Sequence, residues 1–190
     1  MFPIPNDIPC LPGSVRRPEP PRRALWRQMS IFLAVFLVLQ LGYGALRGSW
    51  VEHLLIDTLT VAPAAALIHI MSPELPVWAE GSRLKAPGGG INVLNGCEGT
   101  EVLFLLYAAF AAAVMPWRAR LAGLAAGTLL VYALNQARVI ALFHAYRSDR
   151  AWFDLLHGTV APLALIAITT LFFLYWLERH DQCGTSTPAA

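Results

Sequence analysis

Charge is what this chain has least of. Asp, Glu, Lys and Arg make up 14% of its 190 residues, against 56% hydrophobic, whereas a soluble domain averages about 25% charged residues. So few charges cannot build the solvated surface of a soluble domain. The formal net charge is only +2, and the basic residues do not gather into a phosphate-tracking patch, which argues against nucleic acid as a partner. The low polarity excludes disorder for the bulk of the chain. Cysteine is scarce too: there are three, with no CxxC and no Cys/His metal spacing, which argues against zinc. There is no internal repeat. With a mean hydropathy of +0.53, the chain reads as an integral membrane protein.

No Asp, Glu, Lys or Arg occurs in residues 28–46, 58–73, 102–117, 121–137 or 155–177. About 20 mostly apolar residues cross the hydrocarbon of a bilayer as a helix. Segments 29–46 and 155–177 meet that length directly. Segments 99–117 and 121–146 meet it with Glu101 at one end and Arg138 inside. The run 54–71 is short and contains Asp57, Pro63 and His69, which suits an interfacial or re-entrant helix. The expected fold is therefore an all-α polytopic membrane protein with about four transmembrane helices, one interfacial or re-entrant helix and a small extracytoplasmic hairpin.

Orientation follows from the basic residues. Arg16, Arg17, Arg22, Arg23 and Arg27 precede the first span, and Arg118 and Arg120 occupy the turn PWRAR. Placing both groups in the cytoplasm requires 29–46 and 99–117 to cross and 54–71 not to. Arg47, Arg83, Lys85, Arg147 and Arg150 then face outward, against the rule. Three regions are expected: a flexible Pro/Arg-rich cytoplasmic tail over 1–24, a membrane-embedded domain over 25–177 and a short cytoplasmic tail over 178–190. The first span is too long for a signal-peptide core and lacks a small-residue cleavage site, so no processing is expected. Between the spans, 72–96 holds the turn signals PELP and PGGG around short alternating stretches, which suggests the hairpin. On position alone this loop is a candidate substrate gate.

Three residues carry chemical interest. Cys10 and Cys183 fall in the cytoplasmic tails, but Cys97 lies between two glycines in NGCEGTE, where a loop turns into a span. A buried cysteine is commonly a small hydrophobe; one at a helix N-terminus gains thiolate character. Arg138, in NQARVIALFHAY, lies about 12 Å below the outer helix end at 1.5 Å per residue. An arginine at such depth is costly and usually functional, though an ion pair or a snorkelling side chain would also account for it. Asn135 shares its helical face. Glu101, four residues after Cys97, is expected on the thiol's face of its own helix, where it could neutralise Arg138. His157, in FDLLHGTVAP, lies at the outer end of the last span; it could equally be an interfacial anchor, and His53, His69 and His144 compete with it. What favours His157 is depth: it shares the outer half of the membrane with Cys97 and Arg138. A thiol, an imidazole and a cation are the parts of an acyl-transfer site.

The blocks NGCEG, NQARVIALF and FDLLHG, at the outer ends of successive spans, resemble the exosortase/archaeosortase family of membrane cysteine transpeptidases, and the likeness covers about 54–177. Many exosortases have about twice as many spans, so the chain is similar to the short forms. The resemblance implies Cys97 as nucleophile, Arg138 as oxyanion stabiliser and His157 as base, with no cofactor and no metal. It implies substrates anchored in the lipid bilayer that carry a C-terminal sorting signal, passed to an acceptor through a thioester. It also implies an inner-membrane location with the site toward the extracytoplasmic side. Asn135 and the glycines fit the family pattern; Glu98 and Glu101 receive no family role. Two other classes compete with it: a haem or quinone redox protein using His69, His144 and His157, and a non-catalytic membrane scaffold.

Overall fold

Proline, glycine and capping side chains set the helix ends, and these seldom coincide with the edges of the apolar runs. The computed structural model describes residues 22–94 and 96–181. Helix α1 is Arg22–Ala45, α2 Trp50–Met71, α3 Thr100–Ala112, α4 Trp117–Ser148 and α5 Arg150–His180. Strands β1 (Trp78–Glu80), β2 (Arg83–Ala86) and β3 (Gly89–Asn92) lie between α2 and α3. Ser49 and Asp149 cap α2 and α5 by accepting from the N–H groups of Val51 and Ala151. The Arg120 guanidinium closes the other end of α3, donating to the Ala113 carbonyl at 2.8 Å. This satisfies an end group that the helix itself leaves open.

Prolines 63 and 162 end neither helix. Each lies just after a stretch of wider π-helical turns, Leu54–Val61 in α2 and Leu156–Val160 in α5. Proline lacks an N–H and its ring crowds the carbonyl four residues back; an extra residue in the preceding turn makes room. The run at 54–71 thus extends to 22 residues, longer than its apolar stretch suggests.

Helix α3 packs against α1, α4 and α5. Close approach depends on Gly123 and Gly127 of α4. A Cβ on Gly123 would stand 2.5 Å from Phe110 and 2.6 Å from Trp176, and one on Gly127 2.6 Å from Leu106. Two glycines four apart let helices touch in the way membrane helices do. Trp176 Nε1 donates to the Ala119 carbonyl and Tyr107 bonds Thr128 across the same contacts.

A second layer covers one end of this bundle. The three strands are antiparallel in the order β1-β2-β3, one strand more than a hairpin. They bury Leu84, Ala86 and Ile91 with Ile56, Ala64 and Ile68 of α2 and Val139, Leu142 and Phe143 of α4. Arg147 pins the sheet by donating to the Pro87 carbonyl at 2.8 Å. Residues 78–92 are therefore a packed layer and not an open loop.

Four helices, α1, α2, α4 and α5, are long and apolar enough to cross a membrane. With 13 residues, α3 rises about 20 Å, and Ala113 at its end turns extended. Length and composition therefore exchange the roles expected for 54–71 and 99–117: Trp50–Met71 is long and apolar enough to cross, and Thr100–Ala112 is the shorter apolar helix. The core partners of α2 are the sheet and Val139, Leu142 and Phe143 of α4. Its start follows the end of α1, where Tyr43 bonds Glu98, and its end leads into the sheet. The region boundaries also shift. Helix α1 already includes Arg22 to Ala24, and α5 carries Glu178 to His180. The rest of the expected tails, with Cys10 and Cys183, lies outside the described residues.

Candidate active site at the sheet end

Cys97 sits in a tight turn ahead of α3, its N–H donating to the Leu94 carbonyl at 2.9 Å. Gly96 and Gly99 bracket it with φ of +92° and +80°, conformations that other residues adopt only at a cost. Gly99 is also held sterically, since a Cβ there would lie 3.1–3.3 Å from Asn135. The chain therefore turns into α3 with the thiol already placed. Helix α3 begins at Thr100, so Cys97 and Glu101 do not share a helical face as expected.

Arg138 reaches this turn from α4. Its Nη2 lies 4.0 Å from the Cys97 sulfur, and its Nε is buried without a partner. The expected pairing with Glu101 is not formed: Glu101 is exposed, and among the described residues no ion pair involves Arg138. The guanidinium is left facing the thiol. Asn135, one turn earlier and 2% exposed, also has a buried side-chain oxygen without a partner.

The electrostatics of the thiol differ from the helix-terminus expectation. Burial is the largest effect and pushes the Cys97 thiol above its ordinary range; Arg138 opposes it, while Glu98 and Glu101 add to the rise.

The structure does not bring His157 to the sulfur. It is exposed, on the π-helical stretch of α5, with its ring stacked on Phe153 at 5.4 Å and 3° and no hydrogen bond to Cys97. Phe153 in turn meets Tyr146 edge-on. Cys97, Phe153 and Leu156 all border the cluster formed by α2, the sheet and α4, so the imidazole and the thiol flank one apolar body. Of the other histidines, His53 lies 3.2 Å from Asp57, and His69 and His144 are exposed. Among the described residues no three His, Cys, Asp or Glu side chains converge as a metal site.

Glu98 is the residue that sequence reasoning left without a role. It is 8% exposed; its Oε1 accepts from Tyr43 Oη at 2.8 Å and Thr100 Oγ1 at 3.1 Å, and its Oε2 is buried without a partner. Its place beside Cys97 was the only signal, because Tyr43 lies 55 residues away. Two apolar cavities of about 1050 and 310 Å³ lie between α1, α3 and α5, sharing Phe32, Ala109 and Phe173. Neither is lined by Cys97, Arg138 or His157.

The family model for the transmembrane exosortase (Exosortase_EpsH) matches residues 21–176. Comparison with curated proteins and with solved structures returns no match. The chain belongs to the transmembrane exosortase family and is a multi-pass, mainly helical membrane protein.

Proposed function

We propose that this member of the transmembrane exosortase family is a cysteine transpeptidase that cleaves the C-terminal sorting signal of membrane-anchored proteins and transfers the product to an acceptor. The observation that carries the reading is the Arg138 guanidinium 4.0 Å from the Cys97 sulfur, in a chain that belongs to the transmembrane exosortase family. The positive-inside reading puts this site on the extracytoplasmic side of the inner membrane.

In the proposed cycle, His157 takes the thiol proton as Cys97 attacks the carbonyl of the scissile peptide bond. Arg138 supplies planar, permanently charged donors to the oxyanion of the tetrahedral intermediate. The imidazolium returns its proton to the leaving amine as the C–N bond breaks, leaving a Cys97 thioester. An acceptor nucleophile or water then releases it, with His157 again as base. For this, His157 must leave its stack on Phe153. Aromatic pairs of this kind contribute about 0.5–1.5 kcal/mol, a small barrier for an exposed ring.

The test is a trapped intermediate. Membranes from cells making the protein with its natural substrates are acid-quenched, and the Cys97 peptide is analysed by mass spectrometry. A hydroxylamine-sensitive acyl adduct on Cys97 is expected, and it should be absent from Cys97→Ala. Normal substrate processing by Cys97→Ala would refute the reading.

A further inference from the structure

A carboxylate in the membrane-embedded part of a protein is expensive unless it is paired, and such residues usually serve function. Glu98 is 8% exposed, and among the described residues no cation pairs with it. One of its oxygens takes two hydroxyl hydrogen bonds, from Tyr43 and Thr100. Tyr43 belongs to α1, a helix with no fully buried residue. Its hydroxyl donates to Glu98 Oε1 at 2.8 Å, which ties α1 to the turn ahead of α3. The Tyr43 ring is set by an edge-on contact with Phe104 of α3, 5.8 Å between centroids at 70°, which aims the hydroxyl at the turn.

That turn needs such a tie. Cys97 and Glu98 are the two residues between the left-handed glycines 96 and 99, and glycine is the residue least able to hold a conformation by itself. Anchoring the Glu98 carboxylate fixes the peptide unit that joins it to Cys97, and with it the distance from sulfur to Arg138. We infer that Glu98 and Tyr43 are positioning residues: Tyr43 of α1 clamps the Glu98 carboxylate and thereby holds the Cys97 turn against Arg138. The inference rests on Cys97 being the nucleophile, and it makes α1 part of the active site's support. A misplacement of about 1 Å costs as much as 10²-fold in rate, so one hydroxyl far from the chemistry has a large kinetic effect.

The experiment compares Tyr43→Phe, Glu98→Gln and Glu98→Ala in the full-length protein in membranes. Two readouts are used. One is the rate of Cys97 alkylation by a maleimide. The other is processing of a reporter fused to the C-terminal region of a protein trapped on Cys97, normalised to enzyme in the membrane. Glutamine keeps the oxygen that Tyr43 and Thr100 bond and removes only the charge. The clamp predicts that Tyr43→Phe and Glu98→Ala lose about 10- to 100-fold in processing, while Glu98→Gln stays within about threefold of the parent. Tyr43→Phe, which leaves the carboxylate in place, should also change the alkylation rate. Normal processing by Tyr43→Phe, or a Glu98→Gln as impaired as Glu98→Ala, would overturn it. So would variants whose only defect is lower accumulation. The transpeptidase reading fails separately, through processing by Cys97→Ala, and the alkylation readout of the clamp survives that outcome.

Discussion

Arg138 has two separable duties, and two substitutions divide them. Its Nη2 lies 4.0 Å from the thiol, and among the described residues its charge lowers the cost of forming the thiolate. Two unit charges at that distance interact by about 1 kcal/mol in water and about 4 kcal/mol at an effective dielectric of 20. Arg138 is half-buried, so the value falls between these. Arg138→Gln removes the charge, and the thiolate fraction at a fixed pH below the thiol's titration should drop at least about fivefold, the factor that 1 kcal/mol gives. Alkylation of Cys97 should slow by the same factor, and its pH profile should move to higher pH. Arg138→Lys keeps the charge but replaces a rigid planar fork with a mobile ammonium. Its alkylation should stay near the parent's, while processing falls by about 10²–10³, the usual loss for one preorganised oxyanion donor. The assay is maleimide labelling across pH 6–10 alongside reporter processing, both per molecule in the membrane. If Arg138→Lys processes at near-normal rate, the guanidinium is structural; if Arg138→Gln is alkylated as fast as the parent, Arg138 does not act on the thiol.

Glu98 adds to the rise of the Cys97 thiol, so Glu98→Gln should favour the thiolate, speed alkylation at neutral pH and move the profile to lower pH; a profile unmoved or moved upward contradicts the sign. His157→Ala should abolish processing while leaving resting alkylation of Cys97 unchanged, because the imidazole makes no contact with the sulfur before substrate arrives; slowed alkylation would mean the two already meet in the resting protein. Gly99→Ala must hold φ of +80° and push a Cβ to 3.1 Å from Asn135. The backbone part alone costs about 1–2 kcal/mol, so a lower unfolding temperature in detergent is expected, and Asn135→Ala should restore only the steric share. In intact cells a membrane-impermeant maleimide should label Cys97, and protection of Cys97 with labelling only after permeabilisation would reverse the proposed sidedness.

What could be read from the sequence, and what could not, separates by range. Arg138 stood out because it interrupts a stretch otherwise free of charge, and Cys97 because two glycines flank it; both signals are local, and the two side chains do meet. The extent of α2 was not legible, because Pro63 reads locally as a breaker, and only π-helical turns before it let the helix continue. The Glu101–Arg138 pairing failed for a related reason: it presumed that the helix began at Cys97, whereas a left-handed Gly99 delays it to Thr100. Glu98 was obscure because its meaning lies in Tyr43, and nothing near either residue announces the other. The glycines at 123 and 127 were passed over as ordinary helix residues, yet they set how closely α3 and α5 approach α4, and α4 is the helix that carries Arg138. The placement of the guanidinium thus depends on small residues about three to four turns below it, a dependence visible only once the helices are packed.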